Sequence, residues 1–180
     1  MKPIKLVPLG EIDTKLLSQL GIELRNIFGT EVSTSTYIMR PPPNAYNACR
    51  KQYLSTVILD NLRSTYTSRD SRILLVTDLD LYTPGLNFVF GQAESPGDYA
   101  IVSIHRLRPE FYGERCNLEL LLERLLKEAV HELGHTYGLR HCSNPRCVMR
   151  FSNSILEVDM KDHRFCSVCR AELLKLSRIS

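Results

Sequence analysis

No stretch of this chain is apolar for long: the longest unbroken aliphatic run is Ile73, Leu74, Leu75 and Val76, far short of the roughly 20 residues a bilayer-spanning helix needs. Residues 1–10 carry Lys2 and Lys5 but neither an apolar h-region nor a small-residue cleavage site, so they read as a first strand rather than a secretory signal. Both absences lead to the expectation of a cytoplasmic protein with no membrane partner. Internal repeats and low-complexity segments are also missing, which excludes solenoids and repeat arrays. What remains is an ordinary globular composition, 43% hydrophobic and 24% charged over 180 residues. That length can bury a full core and suggests one domain, or one domain with a small appendage.

The pattern along the chain is mixed α/β. Residues 2–8 alternate as a strand, and Asp13 followed by Leu16, Leu17, Leu20, Leu24 and Ile27 has helical spacing, with Gly29 as a stop. Residues 31–39, rich in Val, Thr and Tyr, predict a strand running into the stiff Pro41-Pro42-Pro43 turn. Between 45 and about 66, Tyr46, Cys49, Tyr53, Val57, Leu59 and Leu62 suggest one long backing helix, with Cys49 on its buried side. The run at 72–77 predicts a strand covered on both faces, and 87–92 and 99–107 two more strands separated by Ser95-Pro96-Gly97-Asp98. Asn117 can cap a helix with an apolar stripe of Leu118, Leu121, Leu122, Leu125, Ala129 and Leu133. A last helix is expected near 171–177.

That capped helix runs into His131-Glu132-Leu133-Gly134-His135, followed by Gly138 and His141. His131 and His135 lie one turn apart on one helix face, a separation that a single ion can bridge. Glu132 stands beside them, placed to act on water. Gly138 tolerates the left-handed conformation that ends a helix, so the chain can turn back and bring His141 up as a third ligand. Three histidines leave one zinc position open, the arrangement of a hydrolytic rather than a structural site. The chemistry expected is hydrolysis by metal-activated water, with Glu132 as general base.

After Gly138 the composition changes. Residues 139–180 hold eight Lys or Arg against four Asp or Glu and four of the six cysteines, so a subdomain boundary is placed there, dividing 1–138 from 139–180. Cys142 and Cys147, then Cys166 and Cys169, are two pairs with the spacing of a closed tetrahedral zinc site, and a reducing compartment weakens the disulfide reading. A tail this short cannot hold its shape by burial alone, so the metal would act as a staple. It would also fix His141, the chain neighbour of Cys142. Two zinc ions per chain are therefore expected, one catalytic and one structural. Met149, soon after Cys147, could floor the catalytic site, although gap-filling is methionine's commoner role. Cys116, like Cys49, reads as a core residue, His163 as a surface residue, His105 as a packed or surface one, and Asp78 and Asp80 as turn formers.

The segment from His131 to His141 resembles the metzincin zinc signature and Met149 its Met-turn. The cysteines directly after the third histidine, with Cys166-Ser167-Val168-Cys169, make the chain similar to archaemetzincins. Arg50-Lys51-Gln52-Tyr53, Thr77-Asp78-Leu79-Asp80, Asn87-Phe88-Val89-Phe90-Gly91-Gln92-Ala93 and Met149-Arg150-Phe151-Ser152-Asn153-Ser154 extend the likeness over most of the chain. The resemblance implies an upper subdomain built as a twisted mixed sheet with backing and active-site helices, and a lower one holding a structural zinc. It also implies that an edge strand within 87–92 pairs with an extended peptide. Astacin-like members of the wider clan place a tyrosine two residues after the Met-turn methionine; here that position is Phe151, without a hydroxyl.

Two alternatives stay open on sequence alone. One is a two-zinc peptide-binding or regulatory protein without significant peptidase activity. The other is a nucleic-acid-binding zinc module, supported by Arg140, Arg146, Arg150, Arg164 and Arg170 but opposed by the scarcity of stacking aromatics, Phe151 and Phe165, in the tail.

Overall fold

The structure, a computed structural model, describes residues 1–66 and 70–178; residues 67–69 of the expected upper segment and 179–180 of the expected lower one lie outside that description. Strand β1 (Ile4–Leu9) leads into helix α1 (Thr14–Phe28). The Asp13 carboxylate accepts the Lys15 N–H at 2.7 Å and the Gly29 N–H donates to the Arg25 carbonyl at 2.8 Å, so both ends of α1 close where the sequence places its cap and stop. Strand β2 (Val32–Thr34) covers only the start of the strand expected over 31–39. The chain returns to β1 at the single bridge between Leu9 and Met39.

Residues 45–66 do not form one helix. A 3-10 turn (Pro43–Ala45) is followed by β3 (Tyr46–Asn47) and β4 (Gln52–Leu54), an antiparallel pair, and only then by α2 (Ser55–Thr65). Pairing decides this segment: β4 hydrogen-bonds to β6 (Leu81–Tyr82), and the Gln52 amide donates to Asp80 and to the Asn87 carbonyl. Long-range contacts of this kind override helical spacing, which is a weak prior. Cys49 consequently sits exposed in the β3–β4 turn instead of in the core, and Cys116 is exposed as well.

Strand β5 (Arg72–Thr77) is buried along its whole length. It lies in the middle of a five-stranded sheet in the order β2-β1-β5-β8-β7, where β8 is Tyr99–Ser103 and β7 is Gly91–Ala93. All pairings are parallel except β7 with β8. The expected strand at 87–92 is thus shifted toward the C-terminus, and the strand at 99–107 stops at Ser103 before two 3-10 turns, His105–Leu107 and Pro109–Tyr112.

Alternate residues of the sheet feed two cores. Ile4, Leu6, Leu74, Val76, Ala100 and Val102 face α1 and α3 (Leu118–Thr136), whereas Val7, Leu9, Ile73, Leu75, Tyr99 and Ile101 face α2. Helices thus cover both faces, which explains the unbroken apolar run of β5. The segment after α3 forms α4 (Ile155–Met160), which was not expected although Ser154 and Glu157 stand at capping-box spacing before it, and α5 (Ser167–Leu176), which starts earlier than expected. Its Val148, Met149, Ile155, Val158 and Leu173 join the α1–α3 core. No helix among the described residues is long and apolar enough to cross a membrane.

Candidate metal and catalytic centre

Helix α3 begins at the Asn117 side chain, which accepts the Leu120 N–H at 3.0 Å, and buries Leu121, Leu125, Ala129, Val130 and Leu133 along one stripe. Its final turns are therefore fixed by core packing before any ligand arrives. The helix ends in two reversed hydrogen bonds, from Gly138 N–H to the His135 carbonyl at 2.8 Å and from Leu139 N–H to the Gly134 carbonyl at 3.2 Å, with Gly138 at φ 96. That left-handed residue turns the chain back and brings His141 beside His131 and His135, with ring centroids 5.4 and 4.8 Å away.

The Nε2 atoms of His131 and His135 are 3.1 Å apart. Each ring has its Nδ1 against a backbone carbonyl, that of Val148 at 2.8 Å for His131 and that of Leu139 at 2.7 Å for His135. A carbonyl only accepts, so both Nδ1 atoms carry the proton and both Nε2 atoms present lone pairs. Burial, then Lys161 and His135, push the His131 pKa well below its ordinary value; burial also lowers His135 and His141. A proton shared between the two Nε2 atoms is therefore disfavoured, and the facing lone pairs call for a metal cation. Tetrahedral zinc at 2.0–2.1 Å from each nitrogen would set them about 3.3 Å apart. The donor set fits that ion.

Glu132 is buried beside the histidines, and burial, with the nearby negative charge of Glu128, pushes its pKa well above the usual carboxylate range against the pull of Lys161. It faces Gly91 of the edge strand: a Cβ at Gly91 would lie 2.6 Å from Glu132 Cγ, 2.8 Å from its Oε1 and 2.6 Å from the Ile101 carbonyl. Only glycine leaves room for the carboxylate there. Met149 is fully buried with its sulfur against Gly134, where a Cβ would come within 2.5 Å of it, so Met149 packs beneath the histidine turn of α3. The Phe151 ring stands 5.0 Å from the His141 ring. A cleft of about 910 Å³ joins these groups, lined by Phe88, Gly91, Glu128, His131, Glu132 and Ser152 among others.

The four tail cysteines converge as well. Their sulfurs lie within 4.8 Å of one another, with Cys142 and Cys166 at 3.9 Å. Tetrahedral zinc–thiolate bonds of about 2.3 Å imply sulfur separations of about 3.8 Å, so this set also fits. The Cys166 N–H donates to Cys147 Sγ at 3.3 Å. The backbone N–H of Cys169 lowers the Cys166 thiol to about 7, whereas burial raises Cys147 and Cys169. His163 is apart from the cluster, 3.4 Å from Asp162.

The two sets share backbone. Cys142 follows His141 and donates its N–H to the Met149 carbonyl at 2.9 Å, and Val148, whose carbonyl orients His131, follows Cys147. Sequence reasoning missed Lys161, which carries no motif, and the two orienting carbonyls, and it placed Gly91 only within the family-like segment 87–93, without its contact to Glu132. Glu128 had one available signal, its position one helical turn before Glu132. Asp78 and Asp80 prove to be ion-pair acceptors, for Arg108 at 2.7 Å and Arg106 at 2.6 Å.

The sequence model of peptidase family M54 matches residues 23–175. This chain belongs to that family, the archaemetzincins. The archaemetzincin of Methanocaldococcus jannaschii is 46% identical over 167 residues, 92% of this chain and 89% of its own. The crystal structure of the Methanopyrus kandleri archaemetzincin superposes with a TM-score of 0.83 at 39% identity, covering 98% of this chain and 96% of that one. A zinc-dependent peptidase from Methanocorpusculum labreanum reaches a TM-score of 0.84 at 33% identity, over 94% and 99% of the two chains. Archaemetzincin membership makes the chain a zinc metallopeptidase of mixed α/β fold acting on peptide or protein substrates.

Proposed function

We propose that His131, His135 and His141 hold the catalytic zinc, that Glu132 is the general base of peptide-bond hydrolysis, and that Cys142, Cys147, Cys166 and Cys169 hold a second, structural zinc. The observation that carries the first assignment is the 3.1 Å approach of two imidazole nitrogens whose Nδ1 protons are already committed to carbonyls. When bound, zinc supplies a Lewis acid that polarises a carbonyl and lowers the pKa of water. The three imidazoles bind it as neutral donors, two of them held in orientation by the Val148 and Leu139 carbonyls. Glu132 takes the proton of the attacking water on a carboxylate oxygen and delivers it to the leaving amine nitrogen. Met149 keeps the underside of the histidine turn dry and apolar.

Strand β7 is the antiparallel edge of the sheet and its Gly91 touches Glu132, so a peptide added along that edge would run past the base. Segments 1–138 and 139–180 act as the upper and lower walls of this cleft. A cytoplasmic location would keep the four thiols reduced and available to metal. The decisive experiment is a peptide library incubated with the zinc-loaded parent and with Glu132→Ala. Fragments from the parent alone support the assignment. Equal cleavage by both removes Glu132 from the mechanism, and retention without fragments from either means that this chain binds peptides and does not cut them.

A further inference from the structure

Strand β5 opens on a charged residue: Arg72 precedes the apolar run and is 1% exposed. A cation so far from water must direct its donors at protein acceptors. Its Nη1 donates to the Thr136 carbonyl at 2.8 Å and to the Gly97 carbonyl, with Asp98 Oδ1 at 3.4 Å. The guanidinium lies over the Tyr137 ring, Cζ 3.8 Å from the ring centroid. Thr136 and Tyr137 directly follow His135 and precede the reversal at Gly138, so the arginine grips the stretch between two proposed metal ligands.

Thr136 is the last helical residue of α3, and its carbonyl is one of those that a helix end leaves without an intrahelical partner. Arg72 and the Gly97 N–H, the latter at 3.0 Å, supply its partners. A cation at that end also complements the negative pole of the helix dipole. Gly97 and Asp98 belong to the turn between β7 and β8. Ser95 of that turn lines the cleft, and Pro96 packs against the reversal, where a Cβ on Gly138 would come 3.7 Å from Pro96 Cβ. Lys2 pairs with Asp98 at 3.1 Å and steadies the same carboxylate. One buried nitrogen thus ties the exit of the edge strand to the turn that delivers His141.

We propose that Arg72 is a positioning residue for the metal centre: by closing the end of α3 against the β7–β8 turn, it sets the path on which His141 returns to His131 and His135. The inference rests on the assignment of the three histidines to zinc. His131 lies inside the helix and is fixed by core packing, whereas His135 is one residue from its end and His141 lies beyond it. Both of the latter depend on how the helix stops. The His135 ring takes its orientation from the Leu139 carbonyl, on the far side of the reversal, at 2.7 Å. A frayed Thr136 would move that carbonyl and His141 together. Lysine is a poor substitute, because a point charge on a flexible stem neither forks between acceptors nor stacks on Tyr137.

The test titrates cobalt(II) into protein whose cysteines already hold zinc, so that the visible absorption reads the histidine set, and measures zinc affinity there by competition with a chromogenic chelator. Arg72→Met keeps the bulk of the side chain and removes its charge and donors. It is expected to weaken zinc binding about 10-fold, the low end of the range for lost outer partners of a metal ligand, and to change the intensity of the cobalt bands. Arg72→Lys should fall between this variant and the parent. Leu59→Ala, a core truncation beneath α2 on the other face of the sheet, is the control: it should lower the melting temperature and leave both metal readings unchanged. If Arg72→Met does not fold, Arg72→Lys and Tyr137→Leu carry the same test. Parent values in the Arg72 variants, or an equal loss in Leu59→Ala at the same fall in melting temperature, would overturn the proposal and leave the metal assignment standing. A parent that takes up no more cobalt than His135→Ala would instead strike the histidine assignment itself.

Discussion

The three histidines and the four cysteines lie side by side, yet the chain builds the two sets by different means. His131 and His135 are fixed by a 19-residue helix packed on the sheet, so their geometry follows from apolar burial. The cysteines come from turns and from the start of α5, and the tail reaches the core through residues spread along it, Cys147, Val148, Met149, Ile155, Val158, Cys169 and Leu173 among them. Burial organises the first set, and on the proposed assignment a metal ion organises the second. His141 and the Val148 carbonyl sit where the two sets meet, so on the proposed assignment they would pass the order of the cysteine set to the histidines.

The harshest way to break that comparison is Cys166→Ser. It should release the tail ion and lower the melting temperature by about 10 °C, at the roughly 2–4 °C per kcal/mol expected for this length. Zinc should also bind the histidines about 10- to 100-fold more weakly, the range for lost orienting partners, as read by competition with a chromogenic chelator. An unchanged histidine-site affinity would show that the two sets are independent. Glu132→Ala should lower kcat by roughly 10²- to 10⁴-fold with both ions retained, since a general base contributes that much. Loss of metal in that variant would instead mark Glu132 as a ligand.

Gly91→Ala sharpens the comparison from the sheet side. The added Cβ must displace the Glu132 carboxylate, and misplacement by about 1 Å can cost up to about 100-fold in rate. The expected result is a lower kcat with zinc content close to the parent, and a lower melting temperature because the same Cβ meets the Ile101 carbonyl of β8; an unchanged rate would mean the carboxylate moves without consequence.

The smallest effect lies away from both sets, at Asp78, His105 and Arg108. The Asp78 hydrogen bond raises the His105 pKa above 6.5, while hydrogen bonds from His105 and Arg108 outweigh burial and lower Asp78 below 3.8. His105 therefore stabilises the fold fully below 6.5, and that contribution is lost as pH rises through its raised value. The Asp78 contribution is present above 3.8 and is lost as pH falls through its lowered value. Thermal melts of His105→Gln should fall below the parent at pH 5 and converge with it at high pH. A gap that widens with pH would reverse the sign.

The same contrast decides what could be read from the sequence. Helix α3 was legible because Asn117, the leucine stripe and Gly138 are local signals that agree with one another, and α1 with Asp13 and Gly29 is a second case. The cysteine set was legible from spacing alone. Residues 46–54 were not, because the partners that hold them as strands, Asp80, Leu81 and Asn87, are distant in the chain. Lys161 was invisible for the same reason: its partners, Glu128 and the Arg150 carbonyl, belong to other elements. The contact between Gly91 and Glu132 likewise exists only once β7 has packed on α3.

The central claim is that two separate metal sites share one stretch of backbone. Elemental analysis of purified parent, His135→Ala and Cys166→Ser proteins tests it directly. The account predicts two zinc ions per parent chain and one in each variant, with His135→Ala inactive and still folded. One ion in the parent, or the loss of all metal in both variants, would contradict it.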